Sequence, residues 1–333
     1  MKIWFNKEFC KQYAEEEEKI TMVTPKEREL EQEMFSYYLP NKSKVHVALG
    51  VGSGLDFKVF QNNNIERRIG VDISPSMLEI CKERYPDAEV IRDDIRSLKK
   101  LRRLIKSEER PKFFTLLTNT LGNFELKDRE RIVRNVRSLM GDQDLLIAEL
   151  YKRPELLVLG SGLLPDTFLK LKVRPLDFKE ASFSKATPLF KVFPFNFYLA
   201  NTENTWMLYS FSQQFHYGEM EFVRKVVGKV GQVAYWPKTG DIVVYKLREH
   251  KKRTIHKEKV LDEREDLERC FEPVILSHRW EGKEIASLFI KAGFLGYVLN
   301  GESTFITFFI PWYKNKEKFK NFCERYEKIF SKS

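Results

Sequence analysis

Cysteine is scarce in this chain: four occur in 333 residues, Cys10, Cys81, Cys270 and Cys323, and no two form a CxxC pair. Such spacing offers neither a disulfide framework nor a structural zinc site, and it fits a reducing compartment. The histidines, at 46, 216, 250, 256 and 278, make no HxH or HExxH pattern, so no catalytic metal is expected. Long apolar runs are missing as well. The opening MKIWFNKEFCKQYAEEEEK has no apolar stretch of signal-peptide length. No segment elsewhere approaches the ~20 apolar residues of a membrane span, so the expected location is the cytoplasm, with no membrane partner. No internal repeat is visible, and the Glu15 to Glu18 run reads as a solvated helix face.

What the chain does contain is enough apolar material, 42% of its residues, for a sizeable core. Charged residues reach 32%, above the roughly 25% of an average domain. The formal charge of +10 and pI near 9.2 favour acidic partners such as nucleic acid. The clearest basic run, KLREHKKRTIHKEK from Lys246 to Lys259, is read first as a solvated surface strip and second as an RNA-binding one.

Texture changes along the chain in a way that suggests its organisation. Residues 1–40 are rich in Glu and Lys and read as helices. There Thr24-Pro25-Lys26-Glu27 supplies an N-cap threonine, a proline at N1 and an acidic first turn. From Lys44, apolar β-branched runs alternate with helical patterns: strands at VHVAL, RRIGVDI, AEVIRDDI, FFTLLTNT and DLLIAEL, with helices expected at 56–61, 75–84, 98–106 and 125–140. Strands separated by helices pair in parallel through right-handed crossovers, which predicts a doubly wound α/β sheet. Past Tyr151 aromatic and β-branched segments follow one another directly: LFKVFPFNFYLA, TWMLYSFSQQF, GQVAYWP and DIVVYKL. This predicts an antiparallel, mainly β insertion, with Lys238-Thr239-Gly240-Asp241 as a hairpin turn. Five segments are therefore expected: 1–40 helical, 41–152 the α/β core, 153–275 the insertion, 276–311 completing the core sheet, and 312–333 a final charged helix.

Gly50, Gly52 and Gly54 close the first strand in a GxGxG spacing, at the carboxyl edge where an open parallel sheet places its ligand crevice. Glycine lets the backbone approach a ligand closely. Position 55 is Leu, so the GxGxxG pyrophosphate fingerprint is not met. The second strand ends in Asp72, whose carboxylate can accept both ribose hydroxyls of an adenosine ligand or can cap the following helix. The third ends in Asp93-Asp94-Ile95, where Asp94 is favoured over Asp93 as the acceptor for an adenine amino group, the other being a helix cap.

The ordered set VALGVGSG, GVDISPSML, VIRDDI and LLTNTLGNF resembles motifs I to IV of the class I S-adenosylmethionine-dependent methyltransferases over residues 45–124. The resemblance implies a Rossmann-like doubly wound sheet, S-adenosyl-L-methionine as cofactor and S-adenosyl-L-homocysteine as product. It implies cofactor contacts at Gly50, Gly52, Gly54, Asp72, Ile73, Asp93, Asp94, Ile95 and Asn119. The acidic residue often found two places before the first glycine is Ala48 here. More narrowly, TNTLGNF from Thr118 to Phe124 is similar to the loop of the histidine-specific methyltransferases of ergothioneine biosynthesis, a family that also includes N-methyltransferases acting on a prenylated tryptophan. There the last asparagine, matching Asn123, binds the amino-acid end of the substrate.

That family's histidine enzymes carry a TEISxKF-like pattern before the last helix. The matching stretch here keeps the serine as Ser277, beside His278, but has Ile275 in the glutamate position. An isoleucine cannot accept an imidazole N–H bond, so the acceptor expected is an amine other than free histidine. The substrate contacts implied are Asn123, Ser277 and His278, with Asn123 as the catalytic-site residue; a structural role for Asn123 as the N-cap before Glu125 is the competing reading. Aromatic residues of the insertion, among them Phe195, Phe197, Tyr198, Trp206, Tyr209, Phe211 and Phe215, could line a pocket but more often form core at strand spacing. Tyr13, Tyr37 and Tyr38 could close over the site. A small-molecule acceptor is favoured over RNA or protein: TNTLGN is not the (D/N)PPY that holds an exocyclic base amine, and no Pro-Cys pair supplies a nucleophile for cytosine carbon.

Overall fold

The structure, a computed structural model, describes residues 2–20, 23–39, 44–152, 156–159, 200–202, 205–209, 232–236, 239–247, 271–300 and 304–311, apart from 62, 107 and 109, together with 268, 317, 320, 321 and 324. The chain divides into two compact units, one made of residues 23–151 and 280–333, the other of 1–22 and 152–279.

The first unit is built on a seven-stranded mixed sheet. At its centre β1 (Lys44–Leu49) pairs in parallel with β2 (Ile65–Asp72) on one side and β4 (Lys112–Leu116) on the other. β3 (Glu89–Arg92) extends the sheet beyond β2, and β5 (Leu145–Tyr151) extends it beyond β4, both in parallel. β13 (Thr304–Pro311) then runs antiparallel to β5, and β12 (Phe294–Asn300) antiparallel to β13, giving the order β12-β13-β5-β4-β1-β2-β3. Every residue of β1, β4 and β5 is buried, as expected of central strands with both faces of a sheet covered, and the mostly apolar strands also bury Lys44, His46, Lys112, Thr115 and Glu149.

Side chains alternate across β5. Leu146, Ala148 and Leu150 join one core with Ile132, Val133 and Val136 of α6 (Leu126–Arg137) and Ile285 and Phe289 of α7 (Gly282–Lys291). Leu145 and Ile147 face the other way, into a core with Phe35 and Tyr38 of α2 (Pro25–Tyr38). The expected start of α2 is present in full: the Thr24 hydroxyl accepts the Glu27 N–H at 3.2 Å, and the Glu27 carboxylate accepts the Thr24 N–H at 2.7 Å. α3 (Leu55–Val59), α4 (Pro75–Arg84) and α5 (Lys99–Leu104) follow β1, β2 and β3. α3, α5 and α6 are shorter than their sequence patterns, because apolar residues past their ends, such as Ile105 and Met140, bury from turns.

The second unit holds α1 (Lys7–Ile20) and two antiparallel three-stranded sheets. In one, β8 (Thr205–Tyr209) lies between β6 (Leu156–Leu159) and β7 (Ala200–Thr202). In the other, β10 (Asp241–Leu247) lies between β9 (Gln232–Trp236) and β11 (Phe271–His278). Gly240, at φ 75, makes the turn into β10 where the hairpin was expected. β11 runs through the expected boundary at 275 to His278, because β10 continues to offer backbone partners as far as Asp241, which pairs with His278. Residues 189–199 and 248–259, which hold most of one expected strand and of the basic run, lie outside the described residues. So do Phe195, Phe197, Tyr198, Phe211 and Phe215, and most of the expected final helix, of which Glu317, Lys320, Asn321 and Glu324 are helical. Among the described residues no helix is long and apolar enough to cross a membrane.

A candidate cofactor crevice and acceptor turn

Strand order reverses between β1 and β4, and ligands of open α/β sheets settle at the carboxyl ends of the strands beside such a reversal. The glycine loop leaves β1 at that point. Its start is tied across to β2, the N–H groups of Gly50 and Val51 both donating to the Val71 carbonyl at 2.8 and 3.0 Å. The three glycines all have positive φ, 71, 53 and 100°. Two of them are needed for packing inside the protein. A Cβ on Gly50 would stand 2.5 Å from the Thr120 methyl, and one on Gly54 would stand 2.6 Å from the Tyr85 ring. Gly52 differs: a Cβ there would meet nothing nearer than the Gly50 carbonyl at 4.0 Å, so the backbone faces open space.

Asp72 borders that space. Its carboxylate accepts the Gly52 N–H at 3.0 Å and the Ser74 N–H at 2.8 Å, one on each oxygen, leaving lone pairs for further donors. The residue keeps some solvent contact, but its carboxyl group lies deep enough that desolvation raises its pKa, against the opposing pull of the Ser74, Gly52 and Ile73 N–H groups. Ile73, next to it, is an exposed large apolar side chain. The helix-cap alternative for Asp72 falls to Ser74, whose hydroxyl accepts the Met77 N–H at the start of α4.

At the end of β3 both carboxylates are committed elsewhere. Asp93 caps α5, accepting the Lys100 and Leu101 N–H groups at 2.7 and 3.0 Å. Asp94 is gripped by Arg96, which donates from its backbone and from both Nε and Nη2. Partial burial works to raise the Asp94 carboxyl, but the Arg96 hydrogen bonds outweigh it and hold it below the usual range. The Ile95 side chain belongs to the core beside Leu98 and Leu101.

Opposite the glycine loop, β4 ends in a strained turn. Thr118 and Asn119 have consecutive left-handed backbones, φ 50 and 57°. A non-glycine residue there costs on the order of 1–3 kcal/mol, and a β-branched threonine is especially rare in it. A 3-10 turn, Thr120–Asn123, follows. Asn119 is 2% exposed, and its side-chain oxygen accepts the Tyr151 N–H at 3.3 Å and the Trp280 indole N–H at 3.0 Å. Its amide lies over Gly122, where a Cβ would come within 2.3 Å of Nδ2. Beyond the turn, the Arg129 side chain donates to the Phe124 carbonyl at 2.6 Å and stacks over Trp280. Asn123 therefore sits between two braced residues, partly exposed, while its own side chain bonds to no described residue. The N-cap of α6 is Glu125, so the capping role does not fall to Asn123.

The structure thus gathers Gly50, Gly52, Gly54, Asp72, Ile73, Asn119 and Asn123 at one edge of one unit. Ser277 and His278 end β11 in the other unit, where His278 is 3% exposed and its Nδ1 lies 2.8 Å from an Asp241 oxygen. Tyr13 packs edge-on against Trp4 in that unit, Tyr38 is buried with α2, and the Tyr37 side chain lies outside the described ones. Among the described residues no group of three or more His, Cys, Asp or Glu could hold a metal ion. Trp280 has no signal in the sequence, because nothing local marks a residue that braces a turn from a segment 161 positions away.

Residues 47–140 match the family model of a methyltransferase domain. Comparison with curated protein sequences finds no match. Among solved structures, a protein of Pyrococcus horikoshii OT3 is similar at 14% identity and a TM-score of 0.44, covering 88% of this chain and 95% of its own. An S-adenosylmethionine-dependent methyltransferase from Clostridium acetobutylicum is similar at 9% identity and a TM-score of 0.44, over 90% of this chain and 91% of its own. An amino pentose methyltransferase from Micromonospora echinaspora is similar at 10% identity, with the same score, over 86% and 90%. Residues 47–140 thus carry a methyltransferase domain, set on a Rossmann-like sheet.

Proposed function

We propose that this methyltransferase N-methylates a small amine metabolite, an amino acid or a close relative of one, and that Asn123 orients it. The observation carrying this reading is that the Asn123 amide, without a partner among the described residues, stands on a turn packed through Thr120 against Gly50. An amide offers a donor and an acceptor together, which suits the two ends of an amino acid. The likeness of the Thr118–Phe124 loop to that of enzymes acting on amino-acid amines supports the same class.

The residues present fit the cofactor. The open side of Gly52 would take the backbone approach, and the free lone pairs of Asp72 would accept ribose hydroxyls. The exposed Ile73 side chain would lie against the adenine ring. Asp93 and Asp94 spend their carboxylates on α5 and Arg96, so contact from that end of β3 would come from the main chain. Bound there, S-adenosylmethionine supplies a sulfonium methyl group open to in-line attack by a neutral amine. The task of the protein is to hold the acceptor nitrogen about 3 Å from that carbon.

Calorimetry with S-adenosylhomocysteine tests the cofactor half: the wild type binds, and Asp72→Ala weakens binding by about 1–3 kcal/mol. Radiolabelled cofactor with metabolite pools and with RNA tests the acceptor half. Label is expected in an amine metabolite, with Asn123→Ala lowering kcat/KM while leaving S-adenosylhomocysteine affinity nearly intact. No binding by the wild type overturns the cofactor reading. Label in RNA, with a steep salt dependence, replaces the amine.

A further inference from the structure

Two adjacent left-handed residues, one of them a threonine, do not hold themselves, so some other group must fix Thr118 and Asn119. Both of their N–H groups end on a single residue of β5. The Thr118 N–H donates to the Glu149 carboxylate at 2.6 Å, and the Asn119 N–H donates to the Glu149 carbonyl at 3.1 Å. Glu149 is fully buried, and its carboxylate is met by the guanidinium of Arg28 from α2, which also reaches Glu31 at 2.9 Å. A buried carboxylate persists only where such partners hold it. From Glu149 the contacts continue outward. Asn119 lies over Gly122, and Thr120 fills the place of a side chain at Gly50, so a change in the turn is felt by the glycine loop.

We infer that Glu149, secured by Arg28, is a positioning residue for methyl transfer: it holds Thr118 and Asn119 in their left-handed conformation and so sets the Thr120–Asn123 turn against Gly50. The inference rests on the methyltransferase reading above. It treats the length of the side chain, which brings an acceptor oxygen to the Thr118 N–H, as what matters to the site. Its charge matters to the pairing with Arg28.

Two mild substitutions separate these roles. Glu149→Gln keeps the length and an acceptor oxygen but gives up the charge. Glu149→Asp keeps the charge but is one methylene too short to meet both Arg28 and the Thr118 N–H. The probe is S-adenosylhomocysteine, titrated by calorimetry at a temperature well below melting, with thermal unfolding measured alongside. Glu149→Asp is expected to lose at least tenfold in affinity and Glu149→Gln at most threefold, although Glu149→Gln melts at the lower temperature of the two. An opposite order of affinities, or equal affinities in both variants and the wild type, overturns the inference and leaves Glu149 as part of a structural ion pair. Absence of binding by the wild type overturns the methyltransferase reading instead, so the two failures are told apart.

Discussion

Glu31 lies fully buried on α2 with one carboxylate oxygen that meets no hydrogen-bond partner among the described residues. Desolvation pushes its pKa up to about 7, helped by Glu27 and Asp56 and opposed by Arg28. The folded chain therefore binds this proton more tightly than the unfolded chain, whose value is 4.5. The stability it contributes is complete below that value and is lost as pH rises through about 7. Buried His46 acts at the other end: desolvation lowers its pKa to about 3 from 6.5, so its contribution is lost as pH falls below the latter. The two windows overlap between pH 4.5 and 6.5, where their effects oppose each other, so the wild type is expected to change little there, whereas Glu31→Gln, which leaves His46 alone, is expected to gain melting temperature as pH rises from 5 to 6.5, as thermal unfolding across the range would show. The glycines make a second contrast at this scale. Gly52→Ala puts a methyl group into open space at φ 53, so it should weaken S-adenosylhomocysteine binding at least tenfold for a stability loss of only about 1 kcal/mol. Gly122→Ala drives a methyl group into the locked Asn119 amide and should cost about 1–3 kcal/mol of stability, read by denaturant unfolding. The glycine spacing was legible in the sequence; which glycine faces a ligand and which faces a neighbour was not.

α2 shows what an element's own sequence decides and what it leaves to the fold. Thr24, Pro25 and Glu27 announce the start of the helix, because a cap is a transaction among residues three apart. The same Glu27 carboxylate also accepts the Thr304 hydroxyl of β13 at 2.9 Å, tying the cap to a strand near the other end of the chain. Thr24→Ala should cost about 1 kcal/mol and lower the melting temperature by roughly 2–4 °C, measured by calorimetry. β11 makes the converse case. Its last three residues, 276–278, fall in the segment expected to complete the core sheet, yet they pair with β10 instead. The backbone groups of β10 that carry the strand on to His278, and the Asp241 carboxylate that receives its ring, lie in a segment tens of residues away. No local pattern encodes a partner at that distance.

For the whole molecule, binding to the folded state alone raises stability by about 2.7 kcal/mol at a hundred times the dissociation constant. Saturating S-adenosylhomocysteine should therefore raise the melting temperature by several degrees, and Asp72→Ala should remove most of that rise at the same ligand concentration. The sequence by itself determined the alternating strands and helices, the parallel core and the glycine loop with Asp72. All of these follow from periodicity and from residues that act within a few positions of one another. Only the tertiary structure decided that β13 enters antiparallel beside β5, that Thr304 meets the Glu27 cap of α2, and that Arg28 and Glu149 hold a strained turn. Each of these joins groups from separate elements, and a buried charge or a left-handed threonine becomes tolerable only once its distant partner has been brought to it.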